Sequence, residues 1–290
     1  MNRIHIVGIS PRSGTSLMAL ALSYCCNVDL TSSREDQIFR YEPFPKTSGV
    51  LLTKNPQDIR VVGPSMWADS NLYVVCMVRD PRDCSVSTHG SSKGKYWTSM
   101  KVWKDNKKTF DDLSKLKSFI SVKYEDMVSN PDDVQSMLCE KIPFLKKRHL
   151  FSNYHNVAEN SKYYKKPLGK VRPISSDSIG KWKNHLPRVK EQIRKYPEIT
   201  KFLIQMGYEE NESWIEELDS IKLTSFENGY KKDSYYYKRT PLYFAKKYIE
   251  MVVRSSRQIG VNPSLIKKVI GKVIPGSYKP LSNPITPNKI

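Results

Sequence analysis

A loop of small residues at positions 10–18, with the sequence SPRSGTSLM, constrains the fold of this chain more than any other stretch. The apolar run before it, at 4–9, predicts a short buried strand, and the apolar residues at 17–22 predict the start of a helix. A strand, a loop and a helix N-terminus in this order form a site for a phosphate or sulfate group. Consecutive backbone N–H groups point into such a loop, and the helix dipole places partial positive charge there.

The residue types in the loop favour the same chemistry. Gly14 lets the backbone come close to an anion, and Arg12 adds a permanent cation, while Thr15 and Ser16 add hydroxyl donors. The loop is not a Walker A motif, because five residues separate Gly8 from Gly14 and Thr15 stands where the lysine belongs. A kinase or ATPase is therefore disfavoured, and an ordinary turn between a strand and a helix is the structural alternative.

The charge balance indicates an anionic partner. The 290 residues carry a net charge of +19, with a sequence pI of about 9.6. Residues 231–290 hold 13 Lys and Arg against two acidic residues, so they contribute +11 of that charge. A nucleotide, a nucleic acid, an anionic lipid or a polyanionic sugar would suit such a surface. The hydrophobic share of 39% is still enough for a real core.

The cysteines and the apolar runs bear on the compartment. Five cysteines show neither the spacing of metal ligands nor a paired framework, which predicts free thiols in a reducing compartment. We find no signal-peptide pattern at the start and no run of about 18 apolar residues that predicts a membrane span. We therefore expect a cytoplasmic protein.

Strand-like and helix-like segments alternate along the first half of the chain. After the first strand, further strands are predicted at 49–54, 71–78 and 119–124, with helices between them. This alternation predicts an α/β protein with a P-loop-like three-layer fold, in which helices flank a central, mainly parallel sheet. Ligands in such folds bind at the carboxyl ends of the strands. Those ends carry the cations Arg12, Lys54 and Arg79 and the cluster Tyr124-Glu125-Asp126. Three cations at equivalent positions predict a site for a multiply charged anion.

The rest of the chain is assigned more coarsely. Long helices are predicted at 97–116 and at about 187–206, and the basic, tyrosine-rich stretch 143–172 is predicted to be mobile or to face the substrate. We divide the chain into an α/β domain at 1–208 and a basic helical C-terminal extension at 209–290. The extension contains two amphipathic helical segments, at 242–259 and 265–274, with basic residues opposite the apolar ones. Such helices either contact an anionic membrane peripherally or pack on the main domain, and packing is the favoured interpretation.

Several segments together resemble the family of PAPS-dependent sulfotransferases. Residues 11–16 resemble its loop for the 5′-phosphosulfate, and 79–87 resemble its 3′-phosphate motif, with Arg and Ser at the family spacing. Residues 122–126 resemble its Tyr-Glu-Asp strand end, 179–182 its Gly-x-Trp segment, and 203–208 its Leu-x-x-x-Gly-Tyr ending. The pairing of the first two motifs is fairly specific, whereas the Gly-x-Trp match is weak alone.

The resemblance covers residues 1–208 and implies PAPS as the co-substrate, PAP as the product and no metal ion. It implies that Arg79 binds phosphate through two parallel hydrogen bonds. Tyr124 either faces the adenine side or is a buried residue that only packs. The implied nucleotide-binding residues are Arg12, Ser13, Gly14, Thr15, Ser16, Arg79, Ser87, Tyr124, Gly180 and Lys181.

The resemblance also implies catalytic roles. Sulfuryl transfer passes through a loose, in-line transition state, so positioning and charge stabilisation do most of the work. We expect Arg12 and Lys54 to stabilise charge on the leaving phosphate and the sulfuryl oxygens. The acceptor hydroxyl needs a general base, and in the arginine-type branches a carboxylate follows the first helix, where this chain has Glu35. The alternative bases are the nearby Asp36 and Glu42, and His89, two residues after Ser87.

The leading interpretation is an enzyme that transfers a sulfuryl group from PAPS to a hydroxyl on a carbohydrate or glycolipid. Arg12 replaces the lysine of the cytosolic branch, so the chain resembles the carbohydrate and tyrosyl-protein branches more closely. One alternative is a P-loop nucleotide kinase-like enzyme, which the missing lysine disfavours. The other is a polyanion-binding protein that uses the basic extension, although no motif for specific nucleic-acid recognition supports it.

Overall fold

A six-stranded sheet forms the centre of the computed structural model, which describes residues 1–32, 35, 49–89, 94–159, 173–227 and 284–285. Five strands are parallel, and the last pairs antiparallel with the second. The order across the sheet is β5-β4-β1-β3-β2-β6. The strands are β1 (Asn2–Gly8), β2 (Leu30–Ser32), β3 (Val50–Lys54), β4 (Leu72–Val78), β5 (Phe119–Lys123) and β6 (Pro284–Ile285).

Helices connect the strands and cover both faces of the sheet. The α-helices in the described part of the chain are α1 (Thr15–Cys25), α2 (Val62–Ala68), α3 (Pro81–Val86), α4 (Met100–Leu113), α5 (Tyr124–Ser129), α6 (Pro131–Lys141), α7 (Tyr154–Glu159), α8 (Leu186–Lys195) and α9 (Ile199–Gln205). Short 3₁₀ helices lie at Pro56–Arg60, Phe151–Asn153, Lys181–His185 and Ser213–Leu218. In this part of the chain, no helix combines the length and the apolar character that crossing a membrane requires.

Each face of the sheet has its own hydrophobic core. On one face α1 packs with α5, α6 and α7, and on the other α2, α4, α8 and α9 pack together. Strands β1 and β4 are buried along almost their whole length, β4 through an apolar run and β1 with Arg3 and His5 buried among its apolar residues, as expected for inner strands of a parallel sheet. The predicted α/β fold with helices on both sides of a mainly parallel sheet is confirmed.

The sheet topology brings the loop at 10–18, called the anion loop after its predicted ligand, to the middle of one edge. Strand β1 lies between β3 and β4, so its carboxyl end has Lys54 on one side and Arg79 on the other. The pairs Ile6–Lys54 and Gly8–Met77 fix this register. The cations that the sequence assigns to separate strand ends therefore share one edge of the sheet.

The structure corrects some element boundaries. The helix predicted at about 187–206 is two helices, α8 and α9, because Pro197 has no N–H to donate and interrupts the helical hydrogen bonds. The helix predicted at 97–116 is the shorter α4, and the stretch after α1, for which the sequence predicted no strand, contains β2. Part of 143–172 forms α7. The predicted helices of the basic extension, at 242–259 and 265–274, lie outside the described residues.

Candidate functional site

The loop between β1 and α1 has a backbone shaped by two left-handed residues. Gly14, just before α1, has a φ of 93°, and Arg12, with a φ of 71°, is the one non-glycine residue in the described part of the chain with positive φ. Gly14 also packs against the ring of Tyr124, because a Cβ at this position would lie 2.5 Å from Tyr124 Cδ2. The loop therefore needs glycine at position 14 both for its conformation and for space.

Two buried donors at this loop lack partners. The Ser13 hydroxyl is fully buried, and its Oγ makes no hydrogen bond with the described residues. The same holds for Nε of Arg79, whose side chain is largely buried beside the loop. A buried polar atom without a partner costs roughly 1–3 kcal/mol. An anion reaches these buried atoms only when the surrounding side chains move, and the two donors then fit the phosphate groups of a nucleotide such as PAPS.

Arg79 joins the loop to a later segment of the chain. Its Nη1 donates to the carbonyl of Arg12 at 3.1 Å, and its Nη2 donates to the carbonyl of Ser178 at 2.5 Å. Its guanidinium carbon lies 4.3 Å above the centre of the Tyr124 ring. Tyr124 thus packs between Gly14 and Arg79. These bonds to main-chain carbonyls use one hydrogen of each terminal nitrogen, so a second hydrogen on each and that of Nε remain as donors for a phosphate.

Arg12 connects the loop to the residue that follows α3. Its Nε donates to Ser87 Oγ at 2.9 Å. Burial lowers the pKa of Arg12, and the nearby guanidinium of Arg79 lowers that pKa further. Two guanidinium groups that repel each other beside an anion loop would be stabilised by negative charge. Arg12 from the predicted loop, and Arg79 and Ser87 from the predicted 79–87 motif, thus belong to one cluster.

Lys54 reaches the start of α1 from the neighbouring strand. Its Nζ donates to Ser16 Oγ at 3.0 Å and lies 3.2 Å from Oε1 of Glu35. The Glu35 side chain is 57% exposed, so its carboxylate is open to solvent. Because Lys54 is a predicted catalytic cation and Glu35 a predicted base, the structure brings these two candidates together. Asp36 and Glu42 lie outside the described residues.

The segment at 178–182 packs on α3, close to the anion loop. Asp83 accepts hydrogen bonds from the backbone N–H groups of Gly180 and Trp182, each at 2.9 Å. Gly180 has a φ of 70°. Lys181 is exposed. Two predicted nucleotide-binding residues, Gly180 and Lys181, therefore lie on a segment that contacts Arg79 through its backbone.

Sequence reasoning missed a buried cation next to this site. Arg82 binds the Asp80 carboxylate at 2.7 Å and the Glu209 carboxylate at 2.5 Å, and its guanidinium lies 4.1 Å and 4.6 Å from the rings of Trp182 and Trp214. Burial acts to lower the pKa of Arg82, but the two carboxylates outweigh burial and raise it. Asp80 and Arg82 follow Arg79 closely in the chain. The alternating charges of residues 79–83 were the one sequence signal of a buried ion pair here.

A second buried carboxylate braces the end of β4. Glu125 accepts hydrogen bonds from the backbone N–H of Asp80 at 3.1 Å and from the hydroxyl of Tyr208 at 3.1 Å. Burial raises the pKa of Glu125, and burial likewise raises that of Tyr208. Glu125 belongs to the Tyr-Glu-Asp segment and Tyr208 to the Gly-Tyr segment, 83 positions later. Their contacts connect both segments to Asp80, the residue after Arg79.

His89 and His5 do not join the cluster, whereas Cys84 lies beside it. His89 is exposed and stacks on Trp97 with ring centres 4.2 Å apart, and His5 is buried in β1 with its Nδ1 2.7 Å from Thr53 Oγ1. All five cysteines are free. Burial raises the pKa of Cys84, which lies close to Arg79, to about 12, so its thiol is protonated at neutral pH and is no nucleophile.

Comparison with known proteins gives structural likenesses only. No family model matches the sequence, and no curated protein shows a significant match to it. A crystal structure of mouse sulfotransferase SULT7A1 complexed with PAP is 14% identical, with a TM-score of 0.49 over 70% of this chain and 84% of that one. The sulfotransferase domain of the Synechococcus PCC 7002 olefin synthase is 12% identical, with a TM-score of 0.40 over 63% of this chain and 87% of that domain.

A third likeness is the sulfotransferase domain from the curacin biosynthetic pathway. It is 16% identical, with a TM-score of 0.34 over 49% of this chain and 74% of that one. Because all three TM-scores are below 0.5, we draw no functional conclusion from these likenesses.

Proposed function

We propose that this chain is a sulfotransferase that transfers a sulfuryl group from PAPS to an acceptor hydroxyl. The observation that carries the proposal is the pairing of Arg12 with Arg79 at a strand-loop-helix turn that contains an unpartnered buried hydroxyl, Ser13. Helix N-termini and guanidinium groups are the groups with which proteins bind phosphate. A nucleotide with phosphates at its 5′ and 3′ positions places one negative group at the helix N-terminus and another at the guanidinium groups.

The position of the cations favours PAPS over ATP. In a Walker A loop the lysine belongs to the loop itself, whereas here Thr15 has that position and Lys54 approaches from β3. The motif at 79–87, with arginine at the strand end and Ser87 after the following helix, supports a second phosphate subsite. The order of these motifs along residues 1–208 supports the same proposal.

Each proposed role follows from charge and position. PAPS supplies an activated sulfuryl group. Arg12 and Lys54 would stabilise negative charge on the sulfuryl oxygens and the leaving phosphate, because a cation already in place needs no reorganisation as that charge develops. Glu35 would accept the proton of the acceptor hydroxyl, because its carboxylate is exposed and lies beside Lys54. We propose a carbohydrate or glycolipid hydroxyl as the acceptor. The reason is the resemblance of the sequence to the carbohydrate branch, which has arginine where this chain has Arg12.

The proposal is tested by isothermal titration of the full chain with PAP, with ATP and Mg²⁺ as comparison. The wild-type chain should bind PAP more tightly than ATP. Arg79→Ala should raise the dissociation constant for PAP by about a hundredfold, which corresponds to about 2.8 kcal/mol for a lost charged hydrogen-bonding partner. Arg148→Ala is the matched control: it removes the same charge from an exposed position beside the C-terminal end of α1 and should leave PAP binding unchanged.

The same titration separates the alternatives. Glu35→Ala should bind PAP like the wild type and lose turnover with PAPS and an acceptor. Wild-type chain that binds no PAP would overturn the proposed function. Tighter binding of ATP with Mg²⁺ would favour the kinase-like alternative, and DNA binding that survives Arg79→Ala and weakens steeply with salt would favour the polyanion-binding one.

A further inference from the structure

One carboxylate fixes the segment at 178–182 to α3. Both oxygens of Asp83 are used, Oδ1 by the N–H of Trp182 and Oδ2 by the N–H of Gly180. The two amides are 97 and 99 positions from Asp83, so this contact is purely tertiary. Asp83 is 2% exposed, and a buried carboxylate is tolerated only where donors and cations surround it.

The groups around Asp83 act on its pKa in opposite directions. Burial raises its pKa, the carboxylate of Asp80 raises that pKa further, and Arg79 together with the two backbone donors lowers it. The Asp83 Oδ2 atom lies 3.9 Å from Nη2 of Arg79. Asp83 thus contacts the proposed nucleotide-binding arginine directly as well as through the bound segment.

The bound segment in turn holds Arg79. Nη2 of Arg79 donates to the carbonyl of Ser178, two residues before the first amide that Asp83 accepts. Nη1 donates to the carbonyl of Arg12, in the anion loop. The guanidinium is therefore fixed from both sides, and the orientation of its buried Nε depends on where Ser178 lies.

The ring of Trp182 anchors the other end of the segment. It lies over the guanidinium of Arg82 and contacts the ring of Trp214 at a centre-to-centre distance of 5.9 Å. Trp182 is buried, while the preceding Ile179 and Lys181 are exposed. The segment is thus held at its two ends and presents its middle to solvent, next to the anion loop.

We propose that Asp83 is a positioning residue for nucleotide binding: it holds residues 178–182 on α3, so that the carbonyl of Ser178 orients Arg79 toward the 3′-phosphate of PAP. This inference rests on the proposed function and assigns a role to a residue of the 79–87 motif that is not among the implied nucleotide-binding residues. Asp83 does not touch the nucleotide in this role. Its effect reaches the ligand through Arg79. Loss of Asp83 should therefore weaken binding of the 3′-phosphate more than binding of the 5′-phosphate.

The test compares Asp83→Asn with wild type by titration of the full chain with PAP and with 5′-AMP, which lacks the 3′-phosphate. The amide of asparagine accepts only one of the two N–H bonds and has no charge beside Arg79. We expect the dissociation constant for PAP to rise by about tenfold or more, the range for a lost charge-assisted hydrogen bond, and that for 5′-AMP to change less than about threefold. Discrimination between the two nucleotides therefore falls.

Asp132→Asn is the matched control. Asp132 also accepts a backbone N–H at 2.9 Å, that of Ser152, and a hydroxyl at 2.8 Å, but it lies at the start of α6, away from the anion loop. This variant loses comparable contacts and should keep the wild-type ratio of PAP to 5′-AMP affinity. If the role of Asp83 is purely structural, Asp83→Asn lowers the affinities for PAP and 5′-AMP equally. The ratio then stays unchanged, and that result would overturn the inference.

A second measurement uses only the wild-type chain and remains informative if Asp83→Asn does not fold. PAP should slow hydrogen exchange of the amides at 180–182, because a ligand at Arg79 stabilises the segment bound to it. Unchanged exchange with saturating PAP would overturn the inference while the proposed function stands. A wild-type chain that binds no PAP would overturn the proposed function and the inference together.

Discussion

At the scale of single residues, the anion loop depends on two positions where the backbone leaves the usual conformations. Gly14 adopts a left-handed conformation and has the Tyr124 ring against it, while Arg12 adopts a similar conformation despite its side chain. Left-handed geometry costs a non-glycine residue about 1–2 kcal/mol. Strain of this kind is typical of functional loops, and here it places the loop carbonyl of Arg12 against Arg79.

Gly14→Ala should destabilise the chain and abolish binding of PAP. The added Cβ would clash with the Tyr124 ring, and overpacking of this kind costs about 1–3 kcal/mol beyond the strain of the positive φ. Gly94→Ala is the matched control, because Gly94 has a φ of 74° and a Cβ there would meet no atom of the described residues within 4 Å. Denaturant unfolding measures the free energy of unfolding of both variants. An equal decrease in the two would show that the Tyr124 ring moves aside without loss of stability.

At the scale of secondary-structure elements, α8 holds the helix of the 79–87 motif in place. Arg188, fully buried, donates to the carbonyls of Ser85 and Thr98 and pairs with Glu191 at 2.5 Å. Glu191 also binds Lys195 at 2.6 Å. Helix α8 thus braces α3 and the residues before α4 through one buried cation, and the position of the residue after α3 depends on this support.

Glu191→Gln should lower the free energy of unfolding at neutral pH by about 3 kcal/mol, the cost of breaking one partner of a buried ion pair. Burial acts to raise the pKa of Glu191, but Lys195 and Arg188 outweigh it and lower the pKa below its ordinary value of 4.5. The stabilisation is therefore complete above about pH 4.5 and is lost as the pH falls through the lowered value.

The pH dependence is the measurement for this pair. Unfolding of wild type and Glu191→Gln should differ most at neutral pH and converge in acid. Glu198→Gln is the control, because Glu198 pairs with Lys104 near the surface and should contribute less than about 1 kcal/mol. A difference between wild type and Glu191→Gln that stays constant down to about pH 3 would contradict the assigned charge of Glu191.

At the scale of the whole molecule, the core of the α/β unit continues past residue 208. Trp214 and Leu218 are buried in the core on the α4 face, and Glu209 pairs with Arg82. The boundary between the domain and the extension at 208 stays a prediction. The contacts nevertheless make residues 209–218 part of the packing that supports Trp182 and the segment bound by Asp83.

Trp214→Ala should destabilise the whole chain by about 3–5 kcal/mol, because it leaves a cavity and removes a ring from the guanidinium of Arg82. Trp67→Ala is the matched control, since Trp67 is 78% exposed and its loss should change stability by less than about 0.5 kcal/mol. Thermal and denaturant unfolding of both variants measure the effect. Equal stability of the two variants would mean that the chain after 208 packs only loosely.

Local patterns in the sequence were enough to predict the parallel sheet and the place of the anion loop. Apolar runs and the small residues around Gly14 are such patterns, and a parallel sheet brings the ends of its strands to one edge, where Lys54 and Arg79 do lie. The helix break at Pro197 was also readable from the sequence, because proline removes a helical donor, but the apolar pattern on both sides concealed it.

Contacts between distant residues could be known only from the folded chain. The bond from Arg12 to Ser87, the amides on Asp83 and the bond from Arg82 to Glu209 join positions 75, 97 and 127 residues apart. No local pattern encodes such pairs, because the partners of a buried charge are the donors and acceptors that packing brings to it. The physical reason is desolvation, which makes each buried charge depend on partners that exist only once the chain has folded.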